Sequence, residues 1–238
     1  MSADPVALAA RLAGERFPHA HAAFLGGSSP TARRTAWSDL DIVVVLDGPP
    51  APFRETLRHS GQLVEWFVQT PGSLRHYWRQ DTARRRTPLL RMVAEGVILT
   101  STDGAAEAYR ERAAALLAAG PAAPAATIVD MQRYLVTDML DDLRGCSDPV
   151  EISYLAATLV LAASDLLLLA ENRWSARGKW LPRRLAEIDP ELPGRLAAAQ
   201  QDVLGDREPL VAEILAVLQR AGGPLQEGFR LEGEDPGR

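Results

Sequence analysis

One apolar run limits what the N-terminal part of this chain can fold into. Residues 41–46 read Asp-Ile-Val-Val-Val-Leu and are followed by Gly48-Pro49-Pro50. A β-branched run of this length, bounded by turn residues, predicts a buried strand. Side chains alternate along a strand, so Asp39 and Asp41 share one face and the residues flanking them point into the core. The strand therefore begins with two carboxylates side by side.

Two carboxylates in this position repel each other and are costly to desolvate. A shared divalent cation removes that cost, and Mg²⁺ is usually held by one or two carboxylates together with substrate phosphates. The alternative is an acidic turn that faces water before the strand. Asp39 and Asp41 are therefore candidate metal ligands.

A glycine-rich segment precedes these acids. Phe24-Leu25 reads as the end of a strand, and Gly26-Gly27 frees the backbone for a sharp turn. Small residues allow a phosphate chain to approach main-chain N–H groups, and Ser28 or Ser29 can cap a short helix whose N-terminus attracts anions. We therefore expect phosphates to bind at Gly26, Gly27, Ser28 and Ser29.

The order Gly26-Gly27-Ser28, a spacer, then Asp39-Leu40-Asp41 resembles the signature of the DNA polymerase β-like nucleotidyltransferase superfamily. In size the chain is similar to the small two-domain bacterial proteins of the aminoglycoside nucleotidyltransferase type. This resemblance is residue-specific only over the first third of the chain. It implies a third carboxylate on a later strand, for which Glu65 is the candidate, although Asp is more common there. The alternative for Glu65 is an edge-strand charge that faces water.

The resemblance implies a Mg²⁺-dependent enzyme that moves a nucleoside monophosphate, AMP from ATP being the expected case, onto a hydroxyl and releases pyrophosphate. The acceptor would be a small molecule or a protein. Asp39, Asp41 and Glu65 would be the catalytic and metal-binding residues, with Glu65 either a ligand or the general base. Two Mg²⁺ ions are expected, with Mn²⁺ as an alternative. The rival is a catalytically idle binding module of the same fold that acts as an antitoxin or regulatory partner.

The sequence as a whole predicts an α+β protein. Residues 1–119 predict a nucleotidyltransferase domain with a small mixed β-sheet flanked by helices. Within it we expect a helix at Pro5–Arg16, a strand at His19–Leu25 and a short helix around Phe53–His59. The run 62–68 reads as the strand that carries Glu65.

The C-terminal half shows helical periodicity only. The Pro- and Ala-rich segment 120–126 is the best candidate linker, and residues 120–225 predict an all-α helical bundle. Two of its helices are expected at Leu185–Ala199 and Pro209–Arg220. The Gly-rich, acidic segment 226–238 is expected to be disordered.

Two features of the helical half suggest more than packing. The segment 172–184 holds five basic residues and two tryptophans, and Lys179 in it is a candidate for binding the nucleotide's triphosphate. Trp174 or Trp180 is a candidate for stacking on a base or sugar, although anchoring of the loop is the commoner role. The second feature is Asp138, Asp141 and Asp142, which share a helix face and read either as a solvated surface or as a patch for a cationic substrate.

Composition excludes several other classes. The net charge of −5 argues against bulk nucleic-acid binding, and the lone Cys146 excludes an intramolecular disulfide. No signal peptide is expected at the start, and the apolar stretch Leu155–Ala170 is expected to be too short to span a bilayer. We therefore expect a cytoplasmic protein without a membrane partner, and the apolar helices leave room for a homodimer.

Overall fold

A computed structural model describes residues 4–232, which divide into two compact units at the boundary between Pro121 and Ala122. The first unit holds a mixed β-sheet flanked by helices, and the second is helical. The predicted α+β class is therefore confirmed. Of the segment expected to be disordered, residues 226–232 are described, and Phe229 stacks on Tyr134 with ring centroids 4.3 Å apart. Residues 233–238 lie outside the described residues.

The first unit alternates strands and helices along the chain. Its elements are α1 (Pro5–Arg16), β1 (Ala22–Leu25), β2 (Leu40–Val45), β3 (Phe53–His59), β4 (Gln62–Gln69), α2 (Pro71–Ala83), α3 (Pro88–Ala94), β5 (Val97–Ser101) and α4 (Ala105–Ala119). Across the described residues the strand order is β3-β4-β2-β1-β5. β2 and β4 run parallel, and the other neighbouring pairs are antiparallel.

Side chains alternate along the central strands β1 and β2, so the two faces of these strands pack into two separate cores. On one face, Phe24 and Val43 pack with Leu74 and Trp78 of α2 and with α3 and α4. The opposite face packs Leu25, Ile42 and Val44 against α1. Because both faces of the central strands are covered, β2 reads as a continuous apolar run after its first acid. The helix predicted at Pro5–Arg16 and the strand predicted from residue 41 are confirmed.

The short helix expected around Phe53–His59 was wrong, because this segment forms strand β3. β3 pairs antiparallel with β4, and His59 faces Gln62 across a two-residue turn. Ser60 and Gly61 have φ values of 48° and 87°, as a tight hairpin that matches the strand twist requires. The Ser-Gly pair between two short runs was the available signal for a hairpin.

Asp81 links two helices of the first unit. It lies near the end of α2, close to the backbone N–H groups of Leu89 and Leu90 at the start of α3. Its buried Oδ2 has no hydrogen-bond partner in the described residues. Burial raises the pKa of this carboxyl to about 6, although the two N–H groups and the charge of Arg84 oppose that rise. Asp81 thus faces the start of α3 from another helix, at the cost of burying an acid.

The second unit is built around one long helix. Its α-helices are α5 (Ala126–Gly145), α6 (Pro149–Ala170), α7 (Leu181–Leu185), α8 (Leu192–Gln201) and α9 (Glu208–Arg220). α6 packs against each of the other four, and Leu159, Leu166 and Leu167 in it are fully buried. The single helix predicted at Leu185–Ala199 was wrong, because residues 186–191 separate α7 from α8.

Among the described helices, α6 is the one long and apolar enough to cross a membrane by length and composition. The expectation that this stretch is too short was wrong, because the helix begins at Pro149 and has 22 residues. Asp148 caps it by accepting hydrogen bonds from the N–H groups of Val150 and Glu151. Because its apolar residues also form the core of the second unit, the length alone is weak evidence for a membrane span.

Candidate metal and nucleotide site

Three carboxylates converge at the start of β2. Asp39, Asp41 and Glu65 each offer an oxygen, and these three oxygens lie within 4.8 Å of one another. Asp39 and Asp41 are two residues apart on one face, and Asp41 pairs directly with Glu65 across the parallel β2–β4 ladder. We call these three residues the acid trio. The residues predicted from the sequence are therefore brought together, all of them partly buried.

The acid trio fits a divalent cation by both chemistry and size. Its donors are carboxylate oxygens, which Mg²⁺ and Mn²⁺ favour. Two oxygens bound to one Mg²⁺ at about 2.1 Å each can be at most about 4.2 Å apart. The limit of 4.8 Å is slightly wider, so a small closure around one ion, or a pair of ions about 4 Å apart, is compatible with these residues.

Glu65 has two partners from the strand that was not predicted. Arg54 on β3 donates to its carboxylate at 2.9 Å, and Thr56 donates at 3.4 Å. The guanidinium of Arg54 also lies 4.7 Å from the centre of the Phe67 ring. Sequence reasoning missed Arg54 because it assigned this segment to a helix. The alternation of residues in β3 would have placed Arg54 and Thr56 beside Glu65.

The two glycines are required by different neighbours. Gly27 has a φ of 68°, and a Cβ there would collide with the carboxylate of Asp41. A Cβ on Gly26 would lie 2.7 Å from Cγ of Met92 on α3. The Gly26 N–H also donates to the Asp41 carbonyl at 2.8 Å. Both glycines therefore allow close packing, Gly27 against Asp41 and Gly26 against α3. Their predicted role in binding phosphate stays a prediction.

The serines after the glycines do not begin a helix, so that part of the sequence prediction was wrong. Residues 26–39 form turns, and the hydroxyls instead tie the segment to the start of β2. Ser29 donates to the Asp39 carbonyl, and the hydroxyls of Ser28 and Ser38 lie 3.3 Å apart. Both serine side chains are buried, so they hold the backbone that carries Asp39.

The loop between the serines and the acids also exposes a large aromatic residue. Trp37 is 94% exposed, while the neighbouring Ser38 is buried and accepts a hydrogen bond from the Thr35 N–H at 3.0 Å. Gln62 of β4 donates to the Ser38 carbonyl at 2.8 Å. Trp37 therefore projects from an anchored turn two residues before Asp39. The sequence analysis gave no role to Trp37.

Lys179, the remaining predicted nucleotide ligand, lies in the second unit. It is exposed on a 3₁₀ turn at Gly178–Trp180. Trp174 is 7% exposed, which fits the anchoring role and leaves no open ring face for stacking. Arg183 lies 4.3 Å from the centre of the Trp180 ring. The contact of Lys179 with a triphosphate stays a prediction.

The acids predicted to share a face in the second unit are exposed on α5. We call Asp138, Asp141 and Asp142 the α5 acids. Arg144 pairs with Asp141 at 3.1 Å. Asp141 and Asp142, together with Asp148 and Glu151, line a groove of about 780 Å³ at the junction of α5 and α6, whose lining does not include Asp138 in the described residues.

Comparison with known proteins shows a distant structural similarity. No family model matches the chain, and no curated protein matches it in sequence. The chain is similar to the crystal structure of a nucleotidyltransferase-like protein from Exiguobacterium sibiricum 255-15. The two share 10% identity with a TM-score of 0.46, over 89% of this chain and 74% of that chain. Values this low assign no family to the chain.

Proposed function

We propose that this chain is a Mg²⁺-dependent nucleotidyltransferase that moves a nucleoside monophosphate from a nucleoside triphosphate, with ATP as the expected donor, to a hydroxyl. The observation that supports it is the convergence of Asp39, Asp41 and Glu65 within 4.8 Å beside the Gly26-Gly27 turn. Three half-buried acids with this spacing repel one another unless cations or partners compensate. A triphosphate accompanied by Mg²⁺ supplies that compensation.

The proposed reaction is an in-line displacement at the α-phosphorus. The acceptor oxygen forms a bond to that phosphorus, the bond from the α-phosphorus to the bridging oxygen breaks, and pyrophosphate leaves. Bound Mg²⁺ supplies charge neutralisation for the phosphates. The residues of the chain position the groups, which is the main protein contribution to phosphoryl chemistry. Asp39 and Asp41 hold the metal, and Gly26 to Ser29 face the phosphates.

Glu65 has two roles that its surroundings allow. Its closeness to Asp41 supports a role as a third metal ligand, and the second proposed role is to accept the proton of the acceptor hydroxyl. Arg54 forms an ion pair with Glu65 at 2.9 Å. In the free protein this ion pair also offsets part of the repulsion among the acids.

That ion pair is the observation that favours the second candidate, an idle binding module. If Arg54 compensates Glu65 on its own, the acids can persist without a metal. The two candidates differ in turnover: the enzyme releases pyrophosphate, and the module binds a partner without doing so. The acceptor, whether a small molecule or a protein, is identified by what becomes labelled.

The experiment is transfer of label from ATP labelled at the α-phosphate into a cell extract, with pyrophosphate release measured in parallel. We expect label and pyrophosphate to appear with Mg²⁺ and to disappear in Asp41→Asn, while circular dichroism shows an unchanged fold. Asp47→Asn is the matched control, because Asp47 follows the other end of β2 and pairs with His21. Turnover retained in Asp41→Asn would overturn the proposal, and absence of turnover in the wild type with every nucleoside triphosphate would favour the binding module.

A further inference from the structure

A small basic cleft lies between α2 and α4 of the first unit. Its volume is about 130 Å³, well above the roughly 10–15 Å³ that one water molecule needs. It is formed by Arg75, Trp78, Arg79, Thr82, Arg112 and Leu116. None of these residues belongs to the acid trio or to the glycine-serine segment.

The three arginines of the cleft have no acidic partner. In residues 4–232, no carboxylate oxygen lies within 4.0 Å of the guanidinium groups of Arg75, Arg79 or Arg112. Other arginines of the first unit, such as Arg16 and Arg91, do pair with glutamates. Arg75 and Arg79 are also one helical turn apart, where like charges destabilise a helix. The cleft therefore concentrates positive charge that the protein does not neutralise.

One residue that lines the cleft, Trp78, carries a buried donor without an acceptor in the described structure. Trp78 is 2% exposed, and within the described chain its indole N–H is buried and has no hydrogen-bond partner. Buried tryptophan N–H groups usually find a partner, because an unpaired donor costs about 1–3 kcal/mol. Packing with the sheet and α3 fixes the ring, so the side chain cannot turn to water. This N–H has almost no accessible surface, so an acceptor oxygen in the cleft would relieve this cost once the side chains around it move aside.

We propose that the cleft between α2 and α4 is a binding site for a phosphoryl group. Its side chains offer guanidinium donors and an indole donor, while the Thr82 hydroxyl already donates to the Arg79 carbonyl at 2.9 Å. No carboxylate lines the cleft in the described structure. A phosphate dianion has several acceptor oxygens, which match the forked donors of arginine. The ligand is either free phosphate or the phosphate ester of a larger molecule, since both present the same group. This proposal does not depend on the proposed nucleotidyl transfer.

The experiment uses the full-length protein in EDTA, so that the acid trio holds no metal. Inorganic phosphate and glycerol phosphate are titrated separately, and the indole ¹⁵N–¹H resonances of the five tryptophans are followed by NMR. The Trp78 resonance is identified by its loss in Trp78→Phe. We expect that resonance to move and saturate with at least one of the two anions. Arg79→Gln and Arg112→Gln are each expected to weaken binding about tenfold, as expected for a lost charge-assisted hydrogen bond.

Two controls separate this site from general charge and from the metal site. Arg58→Gln removes the same charge from an exposed arginine on β3, and it should leave binding within twofold of the wild type. Asp41→Asn should also leave phosphate binding unchanged. Saturation by both anions would support a site for free phosphate and esters, and saturation by the ester alone would support a site for esters. If the chemical shift of the Trp78 indole stays unchanged with both anions, the proposal is overturned. The same holds if Arg58→Gln weakens phosphate binding as much as Arg79→Gln and Arg112→Gln do.

Discussion

The acid trio of the first unit and the α5 acids of the second are presented by the backbone in different ways. In the trio, the register of two parallel strands places Asp41 beside Glu65, and the three oxygens lie within 4.8 Å. The α5 acids lie on one exposed helix, where water and Arg144 compensate their charge. Acids close in sequence therefore do not make a metal site by themselves. Convergence across a sheet, with partial burial, distinguishes the first group.

The largest expected effect tests that difference directly. Asp39→Asn should weaken Mg²⁺ binding at least 100-fold, because loss of even an indirect partner of a metal ligand costs about 10–100-fold. Asp142→Asn removes the same charge from α5 and should change the affinity by less than twofold. Isothermal titration calorimetry with Mg²⁺ and with Mn²⁺ measures both. Equal losses in the two variants would show that net charge, and not convergence, controls binding.

The next effect concerns the glycine that makes room for the trio. Gly27→Ala should lower the free energy of unfolding by about 2 kcal/mol or more, because alanine is strained at a φ of 68° and its Cβ collides with Asp41. Mg²⁺ affinity should fall as well, since Asp41 must move. Chemical denaturation and titration calorimetry measure the two quantities.

Gly14→Ala is the matched control for that substitution. Gly14 lies in α1, and a Cβ there meets nothing within 4 Å. Alanine should therefore raise the free energy of unfolding by about 0.5–1 kcal/mol, as in other helix interiors. If Gly27→Ala is as stable as Gly14→Ala, the close packing of Gly27 on the Asp41 carboxylate does not exist in solution.

Asp81 differs from both groups of acids, because burial and not a neighbouring acid is what raises its pKa. Its pKa is raised to about 6 by burial, so the folded state holds the proton more tightly than the unfolded chain does. The stabilising contribution of Asp81 is therefore largest below about pH 4 and is lost as the pH rises through about 6. At higher pH it no longer changes. Asp81→Asn keeps a side-chain oxygen beside the N–H groups at the start of α3 and removes the charge.

We expect Asp81→Asn to be more stable than the wild type at pH 7 by about 1 kcal/mol, after allowance for solvent screening. At pH 4 the difference should vanish. Urea denaturation of both proteins from pH 4 to pH 8 measures it. A constant difference across this range, or a wild type that is more stable at pH 7, would contradict the raised pKa.

The smallest effect concerns the competition between Arg54 and a metal for Glu65. Arg54 is largely exposed, and pairs of this kind contribute about 0.2–1 kcal/mol. Arg54→Gln should therefore raise Mg²⁺ affinity up to about fivefold, because Glu65 no longer has to give up its ion pair with Arg54 when it binds the metal. Titration calorimetry at 0.02 M and 0.2 M salt tests this, since the gain should shrink at high salt. Weaker Mg²⁺ binding in Arg54→Gln would show that Arg54 orients Glu65 instead of competing with the metal.

Much of this architecture followed from local patterns. The run 41–46 has the composition of a strand covered on both faces, and the acids at its start have the spacing that puts them on one face. Glu65 was named on a resemblance, and its pairing with Asp41 depends on strand order, which periodicity does not encode. The α5 and α6 helices were readable because their apolar residues recur at helical spacing over many turns.

The failures have physical causes as well. β3 is mostly exposed, so its residues carry little hydrophobic signal, and its pairing with β4 decides its structure. Ser28 and Ser29 have the residue type that caps helices, yet their hydroxyls bond to the neighbouring strand segment instead. The basic cleft was invisible because its arginines come from α2 and α4, more than 30 residues apart, and only the fold brings them together.

The parallel ladder between β2 and β4 has a consequence for how this protein tolerates insertions. A slip of one residue along β4 would turn Glu65 to the opposite side of the sheet and put Val64 or Trp66 beside Asp41. The lengths of the connections before and after β3 are therefore part of the chemistry, although no residue of those loops belongs to the acid trio. A single codon added between β2 and β4 is expected to silence the site as effectively as mutating it, unless the hairpin absorbs the extra residue as a bulge.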